Sequence, residues 1–437
     1  ADLNEAFLAW RDLDHPMAGG SEVLVDHLAA GLTAKGHDVT LVAGGPTGER
    51  SYPVLDAGGR FSQYGKAPAM VLRRLRDADL VVDVANGMSY LAPLWRRGPS
   101  ICFVNHVHVD QWGLWFRPPL AAVGRTIERR VTPWTYRNRL FIAVSESTAS
   151  SLEHLGIPAE HIRIVPNGVD LTVPQRPKSK EPLYVAVGRL VPHKRFDLLL
   201  PMWDRIREQT GGRLVIIGDG PEAPRLRAMA GPGVELAGYV SETEKQRLLA
   251  EAWLLIHPAM FEGWGLVITE AAAAGTSSLG FDVPGVHDSI LDGVSGTLVR
   301  TPVEMAAEWL ALTANPERRM RLEAGARRRA ADFSWDHTVE RFLAVADEAV
   351  GRPRKPARVP AVARMAPALP RSLRESTPAV SIVVPAFNEA ARLPDALPAL
   401  IERARSLDSE LIVVDDGSDD ATVDVANGLL QGARRGV

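Results

Sequence analysis

Short, continuous apolar runs separated by stretches of helical length dominate the chain. The first set comprises "EAFLAW" (residues 5–10), a helical stretch from Ser21 to Lys35, "HDVTLVAG" (37–44), "ADLVVDV" (78–84), "SICFVNH" (100–106) and "RLFIAVS" (139–145). Runs that are apolar at nearly every position, instead of alternating, read as parallel strands buried on both faces and joined by helices. This predicts a first α/β domain over residues 1–168. A polar, proline-containing stretch follows, "TVPQRPKSKEP" within 169–182, which reads as a linker. The alternation then restarts with "LYVAVG", "GRLVIIGDG", "VELAGYV", "WLLIHPA" and "TSSLGF", predicting a second α/β domain over 183–350. Two doubly wound, Rossmann-like domains facing each other leave a cleft at the carboxyl ends of their strands, where open α/β sheets bind ligands.

Residues 351–378, "GRPRKPARVPAVARMAPALPRSLRESTP", are rich in proline and arginine and predict a semi-extended tether. Beyond it come "AVSIVVP", a helix near 391–405 and "ELIVVDDGS". Residues 379–437 are thus expected to be an incomplete third α/β segment, since one βαβα portion does not close a full sheet.

Composition narrows the picture only modestly. At 437 residues, the chain is long enough for about three domains at roughly 150 residues each. Apolar residues at 46% and charged residues at 24% give an ordinary globular balance. The net charge of -3 supplies no overall attraction to nucleic acid, and no nucleic-acid partner is expected. With Cys102 the sole cysteine, an intrachain disulfide is excluded and a reducing compartment fits. No apolar run approaches a membrane span, and the first 30 residues carry acids and a glycine pair where a signal peptide needs an apolar stretch. The expectation is a cytoplasmic protein, peripheral at the inner face of the membrane.

Candidate chemistry sits at the predicted strand ends of the second domain. Gly188 opens "GRLVPHKRFD", which offers Arg189, Lys194 and Arg195 beside a helix start, a combination that suits a diphosphate. "GDGPE" repeats the pattern, with Gly218 and Gly220 allowing a tight turn; Asp219 and Glu222 fit helix capping as well as ligand contact. "FEGWGLVITEAAAAG" adds two carboxylates, Glu262 and Glu270. Gly263 and Gly265 let the backbone approach a ligand, and the alanines favour a closely packed helix. Carboxylates so staggered can accept hydrogen bonds from two polyols.

On these residues, together with "AGGSE", "VSES" and "PNGVD", residues 5–350 resemble the retaining nucleotide-sugar glycosyltransferases of family four, which have the GT-B fold. The resemblance implies that Arg189 and Lys194 clamp the donor diphosphate, Glu270 binds the ribose hydroxyls and Glu262 lies near the donor sugar. It implies that Gly263, Trp264, Gly265 and Leu266 form the turn whose amides meet sugar and phosphate, and that Gly19 and Gly20 lie against the phosphate from the opposite domain. His106 matches the histidine placed near the donor sugar, with His108 a close competitor. Arg195 stands where the family has glycine, and Asp288 where glutamate is common. The resemblance implies a nucleotide-diphosphate sugar donor (UDP- or GDP-sugar), a saccharide or lipid-linked acceptor, and no metal or other cofactor in this part. A nucleotide-sugar epimerase and an idle nucleotide-sugar-binding scaffold remain as alternatives.

The stretch "HVDQWGLWFRPPL", with Trp112, Trp115, Phe116 and Arg117, fits acceptor or lipid-headgroup contact as well as a buried cluster. The tail resembles the GT-A glycosyltransferases of family two, and within them the polyprenyl-phosphate sugar transferases. Pro385, Glu389 and Asp415 then match nucleotide-contacting positions. The family's metal-binding acids and catalytic base would lie beyond Val437, so residues 379–437 are not expected to catalyse alone; the first part of a bifunctional enzyme is the expectation.

Overall fold

The computed structural model describes residues 2–16, 18–59 and 61–351, and in the tail 381–386, 390, 392–406, 410–415, 420–422 and 425–426. They fall in two compact units, residues 1–363 and 364–437. The first unit holds two all-parallel sheets. One contains β1 (Asn4–Ala9), β2 (Asp38–Ala43), β3 (Val54–Asp56), β4 (Leu80–Ala85), β5 (Ser100–Val104), β6 (Leu140–Ala143) and β7 (Ile162–Ile164), ordered β3-β2-β1-β4-β5-β6-β7. The other contains β8 (Leu183–Val187), β9 (Arg213–Ile217), β10 (Val234–Gly238), β11 (Leu254–His257), β12 (Ser278–Phe281) and β13 (Gly296–Val299), ordered β10-β9-β8-β11-β12-β13. β4 is buried at every position and β8 at all but the last, as their uninterrupted apolar sequences require.

Each sheet reverses its winding once, between β1 and β4 and between β8 and β11. Chain leaves such a reversal in opposite directions on either side, opening a crevice at the strand ends. The loops after β1, β8 and β11 are those carrying "AGG", "GRLVPHKR" and "MFEGWG". Topology therefore places each of the three sequence motifs at the switch point of its own sheet.

The two sheets are tied by a helix that crosses back. Helix Trp335–Ala349 lies within the span 183–350 expected to build the second domain, yet its apolar stripe of Val339, Phe342, Val345 and Ala346 is buried in the core of the first sheet. Phe342 packs on Phe7 at 5.5 Å and Phe103 at 6.5 Å, and Trp335 stacks on His27 at 4.0 Å. The facing helix Gly20–Ala34 makes room with Gly31, where a Cβ would come within 2.6 Å of Val339 Cγ2. Arg163 closes the far end by pairing with Glu348 at 2.5 Å. Periodicity within the helix marks an apolar face but not which sheet it covers.

Three strands, β3, β7 and β13, lie outside the apolar runs read from the sequence. They are three or four residues long, and β3 and β7 are partly exposed, so they present too few apolar positions to stand out. In the second unit, strand Ser381–Ala386 pairs in parallel with Glu410–Asp415, aligning Pro385 with Val414 and Ala386 with Asp415. Helix Leu393–Ser406 joins them and buries Leu393 and Leu397 with Ala426. Glu389 lies outside the described residues. Among the described residues no helix is long and apolar enough to cross a membrane.

The crossing helix makes a stability prediction. Gly31→Val forces branched methyls into Val339 and is expected to lower unfolding free energy by about 1–3 kcal/mol. Gly65→Ala, on an open helix surface, is expected to leave it unchanged or raise it. Urea midpoints of the two variants and the parent decide the matter; a Gly31→Val midpoint equal to the parent's contradicts the packing argument.

Candidate functional site

Glu262 forms the centre of the cleft. It follows β11 by five residues, and its Oε1 accepts hydrogen bonds from Lys194 Nζ and from His257 Nε2, the latter at 2.9 Å. His257 is the last residue of β11 and is buried; Lys194 comes from the turn after β8. Burial pushes the Glu262 carboxyl upward, but Lys194 and His257 outweigh it and hold the group well below the usual carboxylate range. Glu262 is thus an ionised acceptor at neutral pH.

The cation loop reaches that carboxylate through a strained turn. Arg195 sits at φ 52, in the left-handed region that favours glycine. Here the conformation is supported by a hydrogen bond from Arg195 Nε to Asp197 Oδ1 at 3.1 Å, at the start of helix Phe196–Thr210. Gly188 and Gly218 end β8 and β9 so closely that a Cβ on Gly218 would overlap the Gly188 carbonyl. Asp219 accepts from the Gly220 amide at 2.8 Å and Glu222 pairs with Arg225 at 2.8 Å, so both acids are engaged within their own turn.

The first sheet supplies the opposite wall. Glu22 accepts from the Gly19 amide at 2.7 Å, which fixes the glycine loop at the start of helix Gly20–Ala34. Arg189 Nε lies 3.9 Å from the position a Cβ would take on Gly19, and Leu266 Cδ1 lies 3.2 Å from that of Gly20. Unlike Lys194, Arg189 has no carboxylate partner among the described residues. A guanidinium with no carboxylate partner among the described residues, near the amide end of a 15-residue helix, suits an anion by charge and by dipole.

His106 leaves the end of β5 and stacks on Phe261 of the second lobe with ring centroids 5.2 Å apart; His193 stacks on the same ring at 4.8 Å. Gly263 completes this contact, because any side chain there would overlap the Asn105 carbonyl. Burial lowers His106 to about 3, and burial lowers His108 and His193 to about 4 each, so all three imidazoles are neutral at pH 7. A second link joins the lobes at Ser147, whose hydroxyl meets His287 Nε2 at 2.8 Å and whose amide donates to Asp288 at 3.3 Å. Asp288 also caps Gly285 at 3.0 Å, so the shorter acid at this position serves the turn and the lobe contact together.

Several motif residues have positions that spacing did not reveal. Glu270, on helix Leu266–Ala273, pairs with Lys245 at 3.0 Å, with burial raising its carboxyl against the pull of that lysine. The Trp264 indole is buried edge-on against Phe333 at 4.8 Å, leaving its backbone as the part available to the cleft. His106 and His108 are adjacent, with rings 5.2 Å apart, and both belong to one loop. That loop is held by Glu128, which accepts from the His108 amide at 2.6 Å and from Trp112 Nε1 at 2.8 Å. Trp112 is buried, with Gly124 leaving space for its ring, so of the two readings of this stretch the buried cluster describes Trp112; Arg117 is exposed. Among the residues missed by sequence reasoning, His257 carried a signal as a polar terminus to an apolar strand. Lys245 and Glu128 lie on helices with no motif and are found only through their contacts.

Among the described residues no group of three or more His, Cys, Asp or Glu side chains converges as metal ligands would. Residues 18–173 match the family model described as Glycosyltransferase Family 4, residues 171–329 that of Glycosyl transferases group 1, and residues 381–437 that of Glycosyl transferase family 2. The fold is GT-B. Sucrose-phosphate synthase from Thermosynechococcus elongatus aligns with a TM-score of 0.68 at 19% identity, covering 79% of this chain and 98% of that one. Anabaena HepE, solved with UDP and glucose, aligns at 0.64 and 16% identity, covering 78% and 98%. Curated relatives include D-inositol 3-phosphate glycosyltransferases of Geodermatophilus obscurus, 33% identical over 47% of this chain and 52% of the relative, and of Mycobacterium bovis, 30% identical over 54% and 52%. The chain spans about half the length of these relatives.

The neutral histidines generate a pH prediction. Below the unfolded value of about 6.5, the unfolded chain binds protons that the folded site refuses, so each lowered histidine costs stability as pH falls from there towards 4, by up to about 1.4 kcal/mol per pH unit. Glu128, pushed up to about 7, and Asp83, up to about 6, act in the opposite sense, so the histidine contribution is read by difference. The stability advantage of the parent over His106→Asn, measured by urea unfolding, is expected to shrink between pH 6.5 and 5. An advantage independent of pH would mean that His106 is protonated in place.

Proposed function

We propose that the first unit is a retaining, metal-independent glycosyltransferase of family four that moves a sugar from a nucleoside diphosphate to a saccharide or lipid-linked acceptor. The observation that carries the reading is Arg189, without a carboxylate partner among the described residues, near the Gly19–Gly20 helix start and beside the Lys194–Glu262–His257 cluster. The family models support the class of reaction. The presence of UDP and glucose in the HepE structure makes a UDP-sugar the first donor to test, with a GDP-sugar the comparison.

In this reading the diphosphate lies between Arg189, Lys194 and the amides of the glycine loop. As the bond from the sugar to the diphosphate breaks, its electron pair passes to the phosphate oxygen, and fixed cations stabilise that charge. The acceptor hydroxyl attacks the same face of the sugar and gives its proton to the departing phosphate oxygen, which preserves configuration. Glu262, held ionised, accepts from sugar hydroxyls and positions the ring without attacking it, unlike the nucleophile of a retaining glycosidase. Neutral His106 hydrogen-bonds to the sugar from the opposite lobe, and the backbone of Gly263, Gly265 and Leu266 lines the phosphate side. Glu270 exchanges Lys245 for the ribose hydroxyls. In the tail, Pro385, Glu389 and Asp415 belong to a nucleotide site of the family-two segment, the second activity of a bifunctional enzyme acting at the cytoplasmic face of the membrane.

Arg189→Ala and Lys194→Ala are each expected to lower sugar transfer at least about a hundredfold, as loss of a charge stabiliser typically does. The parent's melting temperature is expected to rise with its nucleotide sugar, because a ligand of the folded state stabilises it. Glu262→Gln is expected to weaken transfer more than UDP binding. Near-normal transfer in both cation variants removes the assignment, and donor-stabilised protein that transfers to no acceptor favours the scaffold alternative.

A further inference from the structure

Beyond the cleft, the chain after Trp112 forms a nearly continuous helical run: helix Pro118–Thr126, a π-helical turn Ile127–Val131 and helix Thr132–Thr135. Its inward stripe, Ala121, Gly124, Glu128, Thr132 and Thr135, is buried and spaced three or four residues apart. The rest of its surface exposes large apolar groups: Leu120 at 49%, Val123 at 54% and Trp134 at 58%. Residues 117–139 also contain six arginines and one acid, Glu128, which is buried and taken by His108 and Trp112. Arg117, Arg129, Arg130 and Arg137 are exposed, and Arg137 lies over the Trp134 ring at 5.2 Å. None of the six pairs with a carboxylate among the described residues.

In a chain of net charge -3, this is a strong local asymmetry, and arginines without counter-ions seek anions from outside. The apolar groups restrict which anions. Nucleic acid offers its phosphates but no apolar layer to Leu120 and Val123, whereas a bilayer surface presents phosphates above an acyl boundary. Apolar side chains enter that boundary while guanidinium forks bind phosphates, as in interfacial helices.

We propose that this face, with Leu120, Val123 and Trp134 inserted and the surrounding arginines on headgroups, docks the protein on an anionic lipid surface. Trp112 itself is buried and is not part of this face. The docking does not depend on the donor reading.

Co-sedimentation of the full chain with phosphatidylcholine vesicles, alone or mixed with phosphatidylglycerol, tests the assignment. Binding is expected only to the mixed vesicles, with release as salt screens the charges. R129E/R130E and, separately, L120Q/V123Q are each expected to weaken it about tenfold or more. Both sets are on the surface, so their melting temperatures should match the parent's, and any shift induced by a UDP-sugar should be retained; that shift, read on the same samples, reports on the donor site separately. No binding to mixed vesicles, equal binding to neutral ones, or undiminished binding of either variant overturns the proposal, the last by assigning attachment to another basic segment such as residues 351–378.

Discussion

A buried carboxylate stays ionised only if a cation and hydrogen-bond donors stay with it, and much of the site follows from meeting that condition at Glu262. Desolvation alone favours the neutral acid. Lys194 and His257 prevent this, and they come from the ends of two neighbouring strands, β8 and β11. The cluster therefore depends on parallel pairing at the point where the second sheet reverses its winding. Lys194 is paired with Glu262, whereas Arg189 of the same loop has no carboxylate partner among the described residues.

The same economy of close approach sets the wall across the cleft. Glycines at 19, 20 and 263 occur where backbone or side chains of the other lobe come near, Gly31 admits Val339 of the crossing helix Trp335–Ala349, and that helix packs on the first sheet through Phe342 and Trp335. The stack of His106, Phe261 and His193 joins the two lobes, and burial keeps these imidazoles uncharged near Lys194. Protonation there would add positive charge to a place already cationic, which is why the same burial that builds the contact also makes it sensitive to acid.

Polar side chains fixed in the interior serve the loops in an analogous way. Glu128 holds the segment from His106 to Trp112 by two hydrogen bonds, while its helix turns arginines and apolar groups outward. Lys178 anchors the interdomain linker to the carbonyls of Ala250 and Gly275 at 3.2 and 2.9 Å, with burial lowering it to about 8. Neither group lies in a recognisable motif, and each ties a loop or linker to a helix or strand end.

By itself the sequence determined the α/β class, the two-sheet plan and the strands with long apolar runs, because parallel strands buried on both faces must be apolar at nearly every position. It also marked the cleft motifs, since glycine, cations and carboxylates at strand ends have few other uses in combination. Only the tertiary structure decided which residues meet: that Glu262 is held by Lys194, Glu270 by Lys245 and the His106 loop by Glu128, and that helix Trp335–Ala349 covers the first sheet. The physical reason is that burial and periodicity are local, each legible within a few turns of chain. Partnership between side chains 16 to 330 or more residues apart is fixed only when the sheets, their switch points and the helices over them are assembled.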